Sequence, residues 1–219
     1  MSYPKSIWHF ANIFGVIFAA RFTGASTFFW EDKTMNTAFF DYEKAMQALL
    51  YVVSELKAPT LHQAFKALYF AEQDYLGNYG NTMLGDTFIK MEAGPVPSRI
   101  YHLVQMADGR YNGNWLGTLG IQYAKQNIEV IQGKRLSALV APDLDYLAGT
   151  EKDCLDKAIA FCRNRSFADL KSLSHDAAWD AADMNREMDR LKIAEAGGAD
   201  ESALSYLGES LANNDYCSL

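Results

Sequence analysis

The chain has 219 residues, with 20 Lys and Arg against 27 Asp and Glu for a net charge of -7 at pH 7, and it is 49% hydrophobic and 21% charged. That hydrophobic share excludes a disordered chain, and the length suits one domain with a real core rather than two. The acidic balance argues against a broad phosphate-binding face, so nucleic acid is not expected as the main partner.

Residues 1–34 stand apart as an apolar extension. The run Ile7–Ala20, broken by His9 and Asn12, is shorter than the roughly 20 residues a membrane span needs. Three readings stay open: an extension upstream of a natural start at Met35, an extra docking helix, or a targeting segment whose positive region holds only Lys5. No membrane partner is expected.

From Asp41 to Leu56, apolar residues recur at Ala45, Leu49, Val52, Val53 and Leu56, the spacing of an amphipathic helix. Pro59 breaks the chain and Thr60 is placed as an N-cap. A second helix, Leu61–Leu76, then carries Leu61, Phe65, Leu68, Tyr69 and Leu76 on one face until Gly77–Asn81 ends it. Asp86–Glu92 alternates as a short strand, Gly94–Pro97 form a stiff turn, and Pro97 opens a helix that runs to Ala107. Asp108–Gly120, rich in Gly and Asn, reads as a loop. Asn127–Ile131 and Arg135–Val140 predict an antiparallel hairpin turning at Gln132–Lys134.

Thr150 is placed as the cap of a helix ending at Cys162, and short helices cover Ser166–Lys171 and Ser174–Trp179, with Ser174 as the cap of the latter. The acidic tail 194–219 has room for one helix, Asp200–Leu211. The sum is an α+β fold, a predominantly helical single domain over residues 41–193 with a small antiparallel β-sheet.

No constellation of catalytic or ligand-binding type survives scrutiny. Cys154, Cys162 and Cys217 are odd in number and lack CxxC spacing, which fits buried thiols in a reducing compartment. The contiguous Ser174, His175 and Asp176 are the residue types of a hydrolytic triad, but neighbours at a helix start diverge, and no GxSxG elbow accompanies them. His9, His62 and His102 show no metal-ligand spacing, and Gly77–Gly85 lacks the Lys-Ser/Thr of a P-loop. The helix pair before Gly77 can be read as a helix-turn-helix with the hairpin as a wing. Its second helix, however, sets Lys66 alone against Glu72 and Asp74. Neither enzymatic activity nor a cofactor or metal is expected.

One ordered string does point to a family. Lys66-Ala-Leu-Tyr69-Phe70-Ala71 is followed by Tyr79-Gly80, Gly85-Asp86-Thr87, Gly94-Pro95-Val96-Pro97-Ser98 and Tyr101. Leu173-Ser174-His175-Asp176 and Trp179 close the string. Together these resemble the Panacea domain of SocA-like antitoxins, over about Asp41 to Ala182.

The resemblance implies a bacterial or phage antitoxin acting in the cytoplasm, which neutralises a co-encoded protein toxin by direct protein–protein binding. Toxins of the alarmone-synthetase type are among those the family meets. It also implies an alternative role as an adaptor that delivers the toxin to a protease; a DNA-binding regulator is the other alternative.

Plain structural roles stand beside these implications. Gly94 and Pro97 suit turn geometry, Tyr69 and Phe70 a core, and Trp179 packing on the 150–162 helix. Lys66 and Asp86, if buried, need partners, and an internal ion pair between them is the expectation. Tyr75, Tyr79 and Tyr101, with the acidic C-terminal helix, are the toxin-binding candidates.

Overall fold

The computed structural model describes residues 40–111, 113 and 115–216, which lie within one unit, Asn36–Leu219. Helix α1 (Tyr42–Leu56) starts where the Asp41 carboxylate accepts hydrogen bonds from the N–H groups of Glu43 and Lys44. Helix α2 (Leu61–Tyr79) is capped by Thr60, as the sequence predicts, but runs past Gly77 to end at Gly80. Strands β1 (Phe88–Ile89) and β2 (Val96–Pro97) then pair antiparallel, Phe88 opposite Pro97. The predicted strand over 86–92 shrinks to two ladder residues with β2, and its other edge runs along residues 185–188. Lys90 N–H donates to Arg186 O and Met188 N–H to Phe88 O.

Helix α3 (Ser98–Ala107) follows Pro97 directly. Helix α4 (Gly117–Asn127) is a correction, since residues 108–120 read as loop throughout. Its start has no side-chain cap, and Gly117 and Gly120 weaken its pattern, so the usual signals of a helix are missing there. Strands β3 (Ile128–Ile131) and β4 (Arg135–Ala138) form the expected hairpin, with Leu139 and Val140 left outside the ladder. A single 3₁₀ turn, Leu144–Tyr146, leads to α5 (Gly149–Cys162). Thr150 does not cap α5; the Glu151 side chain accepts the Ala148 N–H instead.

Helix α6 (Phe167–Ser174) is capped by Ser166 and is longer than predicted. Ser174 therefore ends one helix rather than starting the next, and Asp176 caps α7 (Ala177–Ala181). Two further helices, α8 (Arg190–Ala196) and α9 (Glu201–Tyr216), complete the described chain. The 193/194 division drawn from the sequence falls inside α8, whose Ile193 and Ala194 are buried in the main core, as is Leu207 of α9.

The architecture is predominantly helical α+β, with two separate two-stranded sheets among the described residues rather than one. Helix α2 is its axis. Ala64, Leu68, Tyr69 and Ala71 are fully buried, and α1, α5, α6 and α8 all pack on it. Each large apolar side chain so removed from water contributes about 1.5–3 kcal/mol. Among the described residues, no helix is long and apolar enough to cross a membrane. The readings for residues 1–34 and for Cys217 lie outside the described residues.

Candidate functional site

The predicted signature converges on the N-terminal half of α2. Lys66, 1% exposed, donates from Nζ to the Pro95 carbonyl at 2.6 Å, and burial lowers its pKa to about 7. The turn it grips is tight. Gly94 sits at φ +98°, and a Cβ there would lie 2.4 Å from Ser174 Oγ and 2.7 Å from Lys66 Cε, so only glycine fits between α2 and α6. The expected Lys66–Asp86 ion pair is absent. Asp86 instead accepts backbone N–H bonds from Thr87, Arg99 and Ile100 at 2.7–3.0 Å. Asp86 is thereby the cap that Pro97 cannot supply to α3, which ties Gly85-Asp86-Thr87 to Gly94–Ser98. Burial raises its pKa to about 6 against the pull of those N–H groups.

Beside this turn, Asp176 binds α7 to α2. Its carboxylate accepts from the Tyr69 hydroxyl at 2.7 Å, from Gln73 Nε2 at 2.8 Å and from the Trp179 N–H at 3.0 Å. The Trp179 indole donates to Met91 O at 3.1 Å, with Lys90 Nζ 4.0 Å above the ring and His175 stacked on it at 3.6 Å and 8°. Trp179 thus holds the turn region beyond β1, not the 150–162 helix as predicted.

Burial, with the positive charges of Lys171 and Lys66, lowers the pKa of His175, and its Nε2 makes no hydrogen bond. The Ser174 hydroxyl is spent on Lys171 O at 3.2 Å. Ser174, His175 and Asp176 therefore diverge, each committed to a different neighbour. His62, across the turn, bonds Ala93 O at 3.1 Å and lies 4.1 Å from the Phe167 ring; burial and Lys66 lower its pKa to about 4.

In the sequence Glu72 is only a charge unfavourable to DNA. It is 2% exposed and organises the loop after Gly80, accepting from the Thr82 hydroxyl and from the Met83 and Leu84 N–H groups. Gly85 N–H joins the same loop through the Thr82 hydroxyl. Phe70 packs on Phe161 of α5 at 5.1 Å.

The three tyrosine candidates scatter. Tyr101 is half-buried against Phe65 at 5.8 Å, whereas Tyr75 is half-buried and meets the tilted ring of Tyr79, which is 46% exposed, at 4.8 Å. Tyr79 lines a groove of about 540 Å³ with Asn78, Asp200, Ser202 and Tyr206. Beside that groove, the end of α8 meets α2 backbone to backbone. A Cβ on Gly197 would lie 2.2 Å from Gln73 O, and one on Gly77 2.3 Å from Gly197 O. Among the described residues, no group of three His, Cys, Asp or Glu side chains is placed to hold a metal ion.

The knot of Lys66, Gly94, Pro95, Ser174, Asp176 and Trp179 lies within residues 65–180, which a family model described as antitoxin SocA-like, Panacea domain, matches. The chain belongs to that family. No curated protein and no solved structure matches it. In this Panacea domain, the polar residues of the family-like string hold helices and turns to one another. Helix α9, with Tyr206, lies outside the matched segment.

Proposed function

We propose that the chain is an antitoxin that neutralises a co-encoded protein toxin by direct binding, in the cytoplasm and with no catalysis of its own. The observation that carries this reading is the antitoxin-family match over residues 65–180. The commitment of Ser174, His175 and Asp176 to three separate neighbours supports a non-catalytic role. The net charge of -7 supports a protein rather than a nucleic-acid partner. The buried free thiols of Cys154 and Cys162 are in keeping with a reducing compartment. Toxins of the alarmone-synthetase type are among the several kinds that the family resemblance brings into consideration.

The test is to express the adjacent reading frame alone and together with the full chain, then purify through a tag on one partner. Growth arrest by the neighbour alone, relieved on co-expression with a co-purifying complex, is the expected result. Relief that vanishes in a protease-deficient host identifies an adaptor that delivers the toxin to a protease. Specific DNA retention without relief from any neighbour overturns the antitoxin reading in favour of a regulator.

A further inference from the structure

Exposed apolar surface is distributed unevenly on this domain. Of the 11 large apolar side chains that are strongly exposed among the described residues, six fall within residues 119–146. Singly exposed apolar residues need no explanation, whereas a contiguous group with a charged rim marks an interaction site.

Hydrogen bonds gather this stretch into one surface. Leu139 N–H donates to Asn127 O at 2.9 Å, and the Asn127 side-chain amide donates to Tyr123 O at 2.7 Å. Asp143 N–H donates to Gln47 Oε1 at 2.8 Å, and Gln47 Nε2 reaches the Tyr123 hydroxyl at 3.5 Å. Tyr42 packs edge-on against Tyr123 at 5.4 Å, and Tyr146 bears electrostatically on the hydroxyls of both. Leu119, 79% exposed, stands one turn before Tyr123 on the same face of α4. Leu144 and Tyr146, each 41% exposed, project from the 3₁₀ turn beside them.

The rim is acidic. Asp41 and Glu43 lie at the start of α1, and Asp143 and Asp145 flank Leu144. Lys44 of α1 is engaged with Glu151 at 2.5 Å and Lys152 of α5 with Asp156 at 2.7 Å, while Lys125 is two residues past Tyr123 and so on another side of α4. A tyrosine-rich apolar centre inside a charged rim is the usual anatomy of a specific interface, because Tyr supplies contact area at low entropic cost. The groove at Tyr79 and Tyr206 offers instead a lining dominated by Gly, Asn, Ser and Asp.

We propose, resting on the antitoxin reading, that the surface of Leu119, Tyr123, Tyr42, Leu144 and Tyr146 is where the toxin docks. The toxin meets it with an apolar helix face or patch edged by Lys or Arg, matching the acidic rim.

The test co-expresses the full chain with the tagged product of the adjacent reading frame. Leu119→Arg/Leu144→Arg changes two exposed side chains and should weaken capture at least about tenfold and abolish growth rescue, with an unchanged melting temperature. Asp145→Lys should lower the association rate and its salt dependence. Tyr79→Ser/Tyr206→Ser should bind as the parent chain does.

Undiminished capture by Leu119→Arg/Leu144→Arg overturns this surface while the antitoxin reading stands. Loss confined to Tyr79→Ser/Tyr206→Ser overturns it in favour of the groove. If the arginine pair lowers the melting temperature, Asp145→Lys decides, and unaltered association kinetics overturn the proposal. A parent chain that captures nothing overturns both readings.

Discussion

The two ends of α2 are fastened by opposite means. Its N-terminal half is held by buried polar groups that each have a specific partner, Lys66 on Pro95 O and Tyr69 on Asp176. Its C-terminal end is held by the absence of side chains, Gly77 against Gly197, with exposed aromatics around the contact. The first kind of joint fails when a partner is lost or a turn is strained, because a buried polar group without its hydrogen bond is costly. The second fails only when atoms are added.

Gly94→Ala gives the largest expected effect, because it strains a positive φ and drives a methyl group into Ser174 and Lys66 together. A loss of about 4 kcal/mol, or roughly 10 °C in melting temperature, follows from the two penalties. A variant that melts like the parent breaks the claim that this turn is sterically closed.

Gly197→Ala carries the clash without the strain, since Gly197 has an ordinary φ of -78°. The expected cost is about 2 kcal/mol. Hydrogen exchange should quicken in α8 and α9 while the Trp179 indole N–H keeps its protection; equal quickening at both ends would show that the two joints are one.

His62→Gln gives the smallest effect and a sign that can be checked. The folded pKa of about 4 lies below the usual 6.5, so the unfolded chain takes up a proton that the folded chain refuses. Stability held by the parent above pH 6.5 is lost as pH falls from 6.5 towards 4. The melting-temperature gap between parent and variant should therefore move in the variant's favour over that window, and a gap independent of pH removes His62 from the pH response.

How far the sequence reveals this arrangement depends on the kind of signal. Helix α1 is legible from its apolar spacing, and α2 from apolar spacing that agrees with its Thr60 cap. Helix α4 is not, because it opens without a capping side chain and carries two glycines. Ser174 and Asp176 are both good caps, and the sequence cannot rank them; the position of α6 decides, by burying Ser174 at its last turn.

The Lys66–Asp86 pairing misled for a different reason. Opposite charges are visible in a sequence, whereas the unpaired N–H groups at the start of α3, which claim Asp86, are a property of the fold. Glu72 was hidden in the same way. The surface around Tyr123 is not legible in the sequence because its residues come from α1, α4 and the 3₁₀ turn, which the Tyr42–Tyr123 contact and the hydrogen bonds of Gln47 bring together.

The Tyr69–Asp176 bond joins residues 107 apart in the chain. At a synthesis rate of about 5–20 residues per second, the ribosome needs roughly 5–20 s between making the two. Through that interval the central helix of the fold already exists as sequence but lacks the carboxylate that satisfies both Tyr69 and Gln73. The domain is complete only once Asp176 has been made, so the supply of folded protein trails the synthesis of its central helix by at least that delay.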